Sequence, residues 1–436
     1  MPHNQIESQS CRFNSFTLWY VAWLGMALLY LSILKTPISR AYIDFGDGNY
    51  QYISWRINQG VDLYTGILSP QPPFHLWLGA LIDRFSTHFG LDPLTCFRWT
   101  IHIIRSLTSL CVFATSLILL RNGMAAWLAS VIFLFLPEGY RWSSGYQSEH
   151  LEIFFLTLGL ACWAWGMTRS RCLAGVCAVC AVWTNMSALP FSILLGALAC
   201  WGGHRRWIPF LSIIFTLVLL LGISLGLAGE AYFENVWSNQ VASIPSNPSA
   251  WLSSLSEQGT TLVTFEGPFI LLALLGLYRF HHSIRRIWTG SLRPQEVVLM
   301  TLYGIASIGS GIYVIKGGTV DYIYCLAEPV IAIFASWTLV TWFGEAPLSS
   351  QPTPIWKAAS VSCRIALVTG VTVLLVWQPL NMMRGIRAQS APGVDLPDVS
   401  QGRIVEFSDR EVHTLQRVIE ELSKPGDVIW APPFLA

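Results

Sequence analysis

Charge is what this sequence has least of. Of its 436 residues, 12% are charged and 53% apolar, whereas an ordinary soluble domain carries about 25% charged residues. That shortage excludes a soluble globular chain and leaves an all-α polytopic membrane protein. The formal net charge is only +1, which gives no global pull toward nucleic acid, so any electrostatic function must be local. The ten cysteines are scattered, mostly inside apolar runs, and their spacing sets out no disulfide framework. Cys177 and Cys180, in the stretch CAVC, have redox or metal-site spacing, but neither His nor Asp stands near them. Helix packing is the reading they support. No His/Asp spacing elsewhere argues for a particular ion, so the cofactor is unknown and a divalent metal has no support from spacing. Internal repeats and low-complexity tracts are missing as well.

Long apolar runs fill the space that charge leaves. The first, Thr17 to Leu34, is about the 20 residues that a helix needs to cross the hydrocarbon core. Only Arg12 precedes it and no A-x-A cleavage site follows, which predicts an uncleaved first span. Further spans are expected at 99–120, 124–140, 150–168, 172–187, 188–203, 207–227, 263–279, 297–314, 323–343 and 358–378, about eleven in all. The stretch 72–89 is shorter in its apolar part and carries His75, Asp83 and Arg84. It reads as a helix lying in the membrane interface.

Cations fix the expected orientation, because short cytoplasmic loops carry the Lys/Arg excess. With the N-terminus inside, the inner segments and span ends hold Arg12, Arg121, Arg169, Arg171, Arg205, Arg206, Arg279, Arg285, Arg286, Arg293 and Lys357. The short outer loops hold only Arg141 and Lys316, and the outer loop 228–261 has no Lys or Arg. The first outer loop is richer in cations, but long loops translocate largely regardless of charge. An odd number of spans then puts the C-terminus outside. Acidic residues fall on the opposite side from the cations: Asp44, Asp47, Glu149, Glu152, Glu234, Asp321 and Glu328 all lie on or near the outer face. A carboxylate costs about 2.5–3.5 kcal/mol at the centre of a spanning helix, so acids at span edges are expected to line a wet cavity. The bland alternative for Glu152 is a pairing with Arg141 or His150. Gly46 and Gly48 flank Asp47 with flexible backbone, which suits a tight turn presenting its carboxylate.

The stretch GDGNYQYISWRINQGVDLYTGILSPQPPFHLWLGAL resembles the first outer loop of polytopic GT-C glycosyltransferases, in particular the glycosyltransferase 39 and protein-mannosyltransferase-like group. The pattern is an acidic motif, a Tyr a few residues on, a Gly-x-x-x-Tyr about ten residues later, and a Pro-Pro leading into an interfacial helix. Here those are Asp47, Tyr50, Gly60, Tyr64, Pro72 and Pro73. Two further matches follow in order: Glu149 in GYQSEHLEIFF, and KGGTVDYIYCLAEP, similar to a late Lys-Gly…Asn-Tyr…Glu loop with Lys316, Asp321, Tyr322 and Glu328. The similarity covers roughly residues 40 to 330. The chain departs from the pattern where the family has adjacent acids, since Gly46 precedes Asp47 and the next acid back is Asp44. Asn185 stands where a Lys or Arg often follows the fifth span, and Asp321 replaces the more usual Asn.

The resemblance implies an inverting glycosyltransferase that takes a sugar from a polyprenyl-phosphate donor at the outer face of a bacterial-type plasma membrane. The acceptor is a lipid, glycan or protein hydroxyl, and no nucleic acid is involved. A general base must sit within about 2.6–3.2 Å of the acceptor oxygen, and partial desolvation at the membrane boundary raises a carboxylate's basicity. Asp47 and Asp44, with Glu149, are the implied catalytic acids. The departing phosphate needs preorganised cations, for which Lys316, Arg105 and Arg141 are the candidates. Tyr50, Tyr64, Asp321, Tyr322 and Glu328 are expected to line the cavity. A transporter or lipid flippase is the alternative, although its polar residues normally sit near mid-membrane, whereas here the acids gather at one face. Residues 1–380 thus form the expected membrane domain, and 381–436 an outer-face segment. There, Ser408 and Glu411 start a capping box, and Val412, Leu415, Ile419 and Leu422 mark one helical face. One helix and a strand-like run cannot bury a core alone, so this segment reads as part of a truncated soluble domain or as packed on the membrane domain.

Overall fold

The computed structural model describes residues 17–32, 45–136, 139, 145–200, 207–238, 249, 256, 266–276 and 326–344. Among them the chain is mainly helical, with one isolated bridge between Leu63 and Ile67 and no strand. In chain order the helices are α1 (Thr17–Ser32), α2 (Phe45–Asn58), α3 (Pro73–Phe89), α4 (Pro93–Leu120), α5 (Gly123–Phe135), α6 (Ser148–Trp165), α7 (Thr168–Thr184), α8 (Leu189–Cys200) and α9 (Trp207–Ala228). Two more, α10 (Glu266–Gly276) and α11 (Glu328–Gly344), lie beyond. The expected spans 297–314 and 358–378 and the segment 381–436 fall outside the described residues.

Local chemistry sets the helix ends. Asp92 accepts a hydrogen bond from the Thr95 amide at 2.8 Å, with Pro93 at the first helical position, the usual start signal. It moves the beginning of α4 six residues ahead of the apolar run that predicted it. At the other end, Arg121 takes the left-handed conformation (φ 53°) and its amide returns to Leu117 O. Asn122 then caps α5 by accepting from the Ala125 amide at 3.0 Å. Two residues therefore reverse the chain. Gly166, also left-handed, does the same between α6 and α7, at the conformation that costs glycine least. These short reversals make α4 and α5, and likewise α6 and α7, antiparallel neighbours, and α4 packs on α6, with Arg121, Arg169 and Arg171 at one end of the bundle. The starts of α4, α6 and α11 lie at the other.

Two packed regions hold this second end together. Phe133 and Ile132 of α5, Phe269 of α10 and Ile331 and Phe334 of α11 share one core. Tyr50 of α2, Leu76 of α3, Phe97 and Ile101 of α4 and Tyr146 share the other. In a membrane such contacts act through van der Waals fit rather than exclusion of water. Helices α4 and α9 are long and apolar enough to cross a bilayer, and only 11% of the most apolar window of α9 is buried, the exposure expected of a helix facing lipid. Helix α3 follows its expected bounds. One face packs through His75, Leu76, Gly79 and Ile82, while Leu81, Phe85 and Phe89 project outward one turn apart, as an interfacial helix requires.

Candidate functional site

The first acidic motif lies on α2. Gly46, Asp47 and Gly48 form the first turn of a helix rather than a free tight turn. Tyr50, Ile53 and Ile57 recur at helical spacing and pack inward, so the helix runs back over both glycines. An acid in this turn faces the positive end of the helix dipole. The side chain of Asp47 lies outside what the structure describes, as do Asp44, Arg141, Lys316, Asp321 and Tyr322.

One turn further along α2, Tyr50 sets its ring edge against His75, with centroids 4.5 Å apart. His75 is stacked on Tyr146 at 4.2 Å, and the Tyr146 hydroxyl donates to the His75 backbone carbonyl at 3.0 Å. The imidazole is fully buried, and neither ring nitrogen has a hydrogen-bond partner among the described residues. Burial, followed by the nearby His150, pushes the His75 pKa down to about 3. It is a neutral wedge between two tyrosines at working pH.

Tyr64 is an anchor of the same loop. It holds a left-handed backbone (φ 75°), costly for a bulky residue, and three contacts fix it there. Its hydroxyl donates to Gln71 O at 2.7 Å, its carbonyl accepts from Asn235 Nδ2 at 3.2 Å, and its ring meets Tyr232 edge-on at 5.4 Å. Asn235 sits in the π-helical turn Phe233–Ser238 that follows α9. Burial raises the Tyr64 phenol well above its ordinary range, with Tyr232 adding to it, so the hydroxyl stays protonated and serves the bond to Gln71.

Glu149 and Glu152 lie one turn apart at the start of α6 and are both buried. Opposite them the chain breaks between α7 and α8. Asn185 leaves the helix with extended backbone (φ −154°, ψ 136°) and caps a short 3₁₀ turn, Met186–Ala188, by accepting from the Ser187 amide, with Pro190 in the first turn of α8. Asn185 Nδ2 donates to Glu149 Oε1 at 2.8 Å and to Ser148 Oγ at 3.0 Å, and Ser148 itself donates to Glu149 Oε2 at 3.3 Å. Ser187 Oγ lies 2.6 and 2.7 Å from the two oxygens of Glu152. Glu152 thus binds a serine on the facing turn, while Arg141, one of its expected partners, lies outside the described residues. Asn185, which replaces a cation in the family pattern, orients an acid instead. Sequence reasoning noticed the replacement but not this task, nor that of Ser187. The only local signal was the Asn-x-Ser-x-x-Pro break between two apolar runs.

The last element is a buried ion pair. Arg105 Nη1 lies 3.0 Å from Glu328 Oε2, with both side chains inaccessible. Arg105 also donates to the carbonyls of Phe133 and Leu134, which the end of α5 leaves without helical partners. Its guanidinium lies 4.6 Å from the centroid of the Phe133 ring. Glu328 Oε1 accepts from the Gly139 amide at 2.6 Å. Arg105 and Glu328, expected as a phosphate ligand and a cavity residue, are thus brought together with each other. Among the described residues no group of three or more His, Cys, Asp or Glu side chains is placed to hold a metal ion.

An apolar groove of about 530 Å³ runs between α7, α8 and α9, lined by Val182, Trp183, Leu189, Ile193, Leu217 and Phe233 among others. Trp183 and Leu189 stand two residues to either side of the Asn185–Ser187 turn in sequence, while Asn185, Ser187, Glu149 and Glu152 are buried and do not line the groove.

No family model matches the sequence, and no curated protein does. Solved structures do. The chain is similar to ArnT from Cupriavidus metallidurans bound to undecaprenyl phosphate, at 15% identity and a TM-score of 0.52, over 85% of this chain and 73% of that one. The apo state of the same protein matches at 15% identity and a TM-score of 0.51, with the same coverage. The oligosaccharyltransferase of Archaeoglobus fulgidus, tethered to an acceptor peptide, matches at 12% identity and a TM-score of 0.56, over 96% of this chain. This chain spans 59% of that longer protein. At identities this low the likeness shows the fold alone: the chain shares the fold of these proteins, the GT-C type of fold that the resemblance of its first loop implied.

Proposed function

We propose that this chain, built on the GT-C fold, is a membrane glycosyltransferase that moves a sugar from a polyprenyl-phosphate donor to a hydroxyl acceptor at the outer face, with inversion. The observation that carries the reading is the likeness of fold to a structure that holds undecaprenyl phosphate, together with an apolar groove between α7, α8 and α9 and a buried, hydrogen-bonded acid cluster at the turn that joins α7 to α8. A polyprenyl tail needs apolar walls continuous with lipid, and its sugar phosphate needs polar groups where those walls end. The groove offers such walls, and the cluster lies on the turn between two of the helices that line it. The structures of similar fold support the choice of ligand, since one holds undecaprenyl phosphate and another an acceptor peptide.

In this reading Asp47 takes the acceptor proton as general base. Asp44 and Glu149 orient the acceptor or tune that base. Glu149 is suited to orientation, because Asn185 and Ser148 fix both of its oxygens. Lys316 and Arg141, from the two other outer loops, stabilise the negative charge that develops on the leaving phosphate. Asp321 and Tyr322 line the cavity between them. Tyr50 and Tyr64 act through the loop they hold, as both are buried in packing.

The decisive experiment incubates the purified protein with polyprenyl-phosphate sugars and measures release of free polyprenyl phosphate. Release that depends on Asp47 supports transfer. Vectorial movement of the intact donor across proteoliposomes without release would replace it with the transporter or flippase reading.

A further inference from the structure

The α2–α3 hairpin carries a pocket that the proposed reaction does not use. Its two helices pack closely, since a Cβ on Gly79 would overlap Ser54 Oγ. Asn58 Nδ2 then ties them, donating to Ala80 O at 2.9 Å and to Asp83 Oδ2 at 2.7 Å. Beyond this tie the last turns of both helices flank a cavity of about 750 Å³, lined by Trp55, Asp83, Arg84, Phe85, His88 and Phe89 among others.

Three features of the pocket favour a positive charge. Asp83 is only 6% exposed, its partner Asn58 is a neutral donor, and no cation pairs with it among the described residues. A carboxylate taken out of water in this way is costly until an opposite charge joins it. The last turns of α2 and α3 add the negative ends of two helix dipoles. Trp55, Phe85 and Phe89 supply aromatic rings, against which a cation gains further. A bare metal ion does not suit the place: among the described residues no group of three acid, His or Cys ligands stands there, and Arg84 would repel it. The mouth has the opposite character, since Arg84 and His88 stand exposed beside Asp83 and offer N–H donors to an anion. The pocket therefore suits a ligand that carries both signs close together.

The surroundings of the mouth narrow the class. Leu81, Phe85 and Phe89 are each more than half exposed, the rings of Phe85 and Phe89 lie 4.6 Å apart, and Trp55 stands beside an exposed Tyr52 at 6.0 Å. Apolar and aromatic side chains exposed on an interfacial hairpin lie at the level of lipid head groups. We infer that this pocket binds the head group of a zwitterionic phospholipid with a primary amine. The ammonium meets Asp83, the phosphate meets Arg84 and His88, and the acyl chains run along Leu81, Phe85 and Phe89. A primary ammonium has N–H donors for the Asp83 carboxylate that a trimethylated head group lacks. The site is separate from the groove between α7, α8 and α9, and it holds whether or not the protein transfers a sugar.

Native mass spectrometry of the purified protein, titrated in detergent with one phospholipid at a time, measures the site. Wild type should bind phosphatidylethanolamine about tenfold more tightly than phosphatidylglycerol or phosphatidylcholine, the worth of about one charge-assisted hydrogen bond. Asp83→Asn keeps the shape and an oxygen to accept from Asn58, and should abolish that preference with a thermal melt close to wild type. Trp55→Ala, at an exposed position, should weaken binding of the same lipid without touching the tie, so the site is tested even where Asp83→Asn fails to fold. Equal binding of the three lipids by wild type, or an undiminished preference in the folded variants, would overturn the inference and leave Asp83 a bond between two helices. Glycerophosphoethanolamine, the same head group without acyl chains, separates the sources. Weak competition supports a membrane lipid, whereas competition as strong as the lipid's own would overturn it in favour of a soluble amine.

Discussion

Replacing His75 with phenylalanine should remove a defined share of this protein's acid sensitivity. The imidazole is fully buried between Tyr50 and Tyr146, and its pKa falls from the ordinary 6.5 to about 3, chiefly through burial and then through His150. Unfolding frees the ring to titrate normally. Between pH 6.5 and 3 the unfolded chain therefore binds a proton that the folded chain refuses, and stability rises with pH across that window. Above 6.5 the contribution is constant. From pH 7 down to pH 5 the folded state should lose about 2 kcal/mol through this group alone, at 1.36 kcal/mol per unit. Phenylalanine fills the aromatic slot without a proton to bind. It also keeps the bond from Tyr146, which goes to the backbone carbonyl, and removes two unpartnered nitrogens, each costing about 1–3 kcal/mol when buried dry. Thermal melting of wild type and His75→Phe in detergent at pH 5, 6, 7 and 8 gives the difference directly. The two curves should diverge by about 2 kcal/mol at pH 5 relative to pH 7 and run parallel above. Parallel curves down to pH 5 would mean that the ring charges in the folded state and that the packing argument is wrong.

Three further outcomes are expected. Asp47→Asn should lower single-turnover transfer at saturating donor by about 10²–10⁴ with little loss of donor binding, and Asp44→Asn should cost less; a dead Asp44→Asn beside an active Asp47→Asn would reverse the assignment of the split motif. Lys316→Met should weaken donor binding in a lipid-binding assay while leaving the melt unchanged, since a charge-assisted contact is lost, and unchanged affinity would return Lys316 to contact with lipid head groups. Cysteines placed at Ser243 and Ser283 in a cysteine-free background should differ, the first labelled by an impermeant thiol reagent on intact cells and the second spared; the opposite pattern would put the acids on the cytoplasmic side.

Much of the frame was legible because apolar runs and helix caps are local signals. Nine expected spans overlap described helices, with ends shifted by up to six residues, and the helix from Pro73 was read from Pro72-Pro73 and its mixed face. Boundaries shifted where polar residues belong to a helix. Arg98 is buried in the first turns of α4, and a hydropathy reading stops short of it. The candidate site was legible only in part. Glu149, Arg105 and Glu328 were singled out as chemistry-bearing residues, yet their partners were not. Arg105 and Glu328 are 223 positions apart, and no spacing rule links residues on unrelated helices. Asn185 looked like the loss of a cation because sequence shows what a residue cannot do more readily than what it holds. His75 gave no signal, as a histidine on an interfacial helix is ordinary until its surroundings are known.

Helix α5 has 13 residues, about 20 Å of helix at 1.5 Å per residue, some 10 Å less than the hydrocarbon thickness of about 30 Å. Its partner in the hairpin, α4, has 28 residues and reaches about 42 Å. Irregular backbone at membrane depth is tolerated only where protein or a wet cavity covers it, and Arg105 provides that cover for the last carbonyls of α5. The far end of the short helix is thus tied to the long one by side-chain bonds, so the two halves of the hairpin answer to bilayer thickness as one unit: a thicker or thinner bilayer that tilts α4 should carry the end of α5 with it.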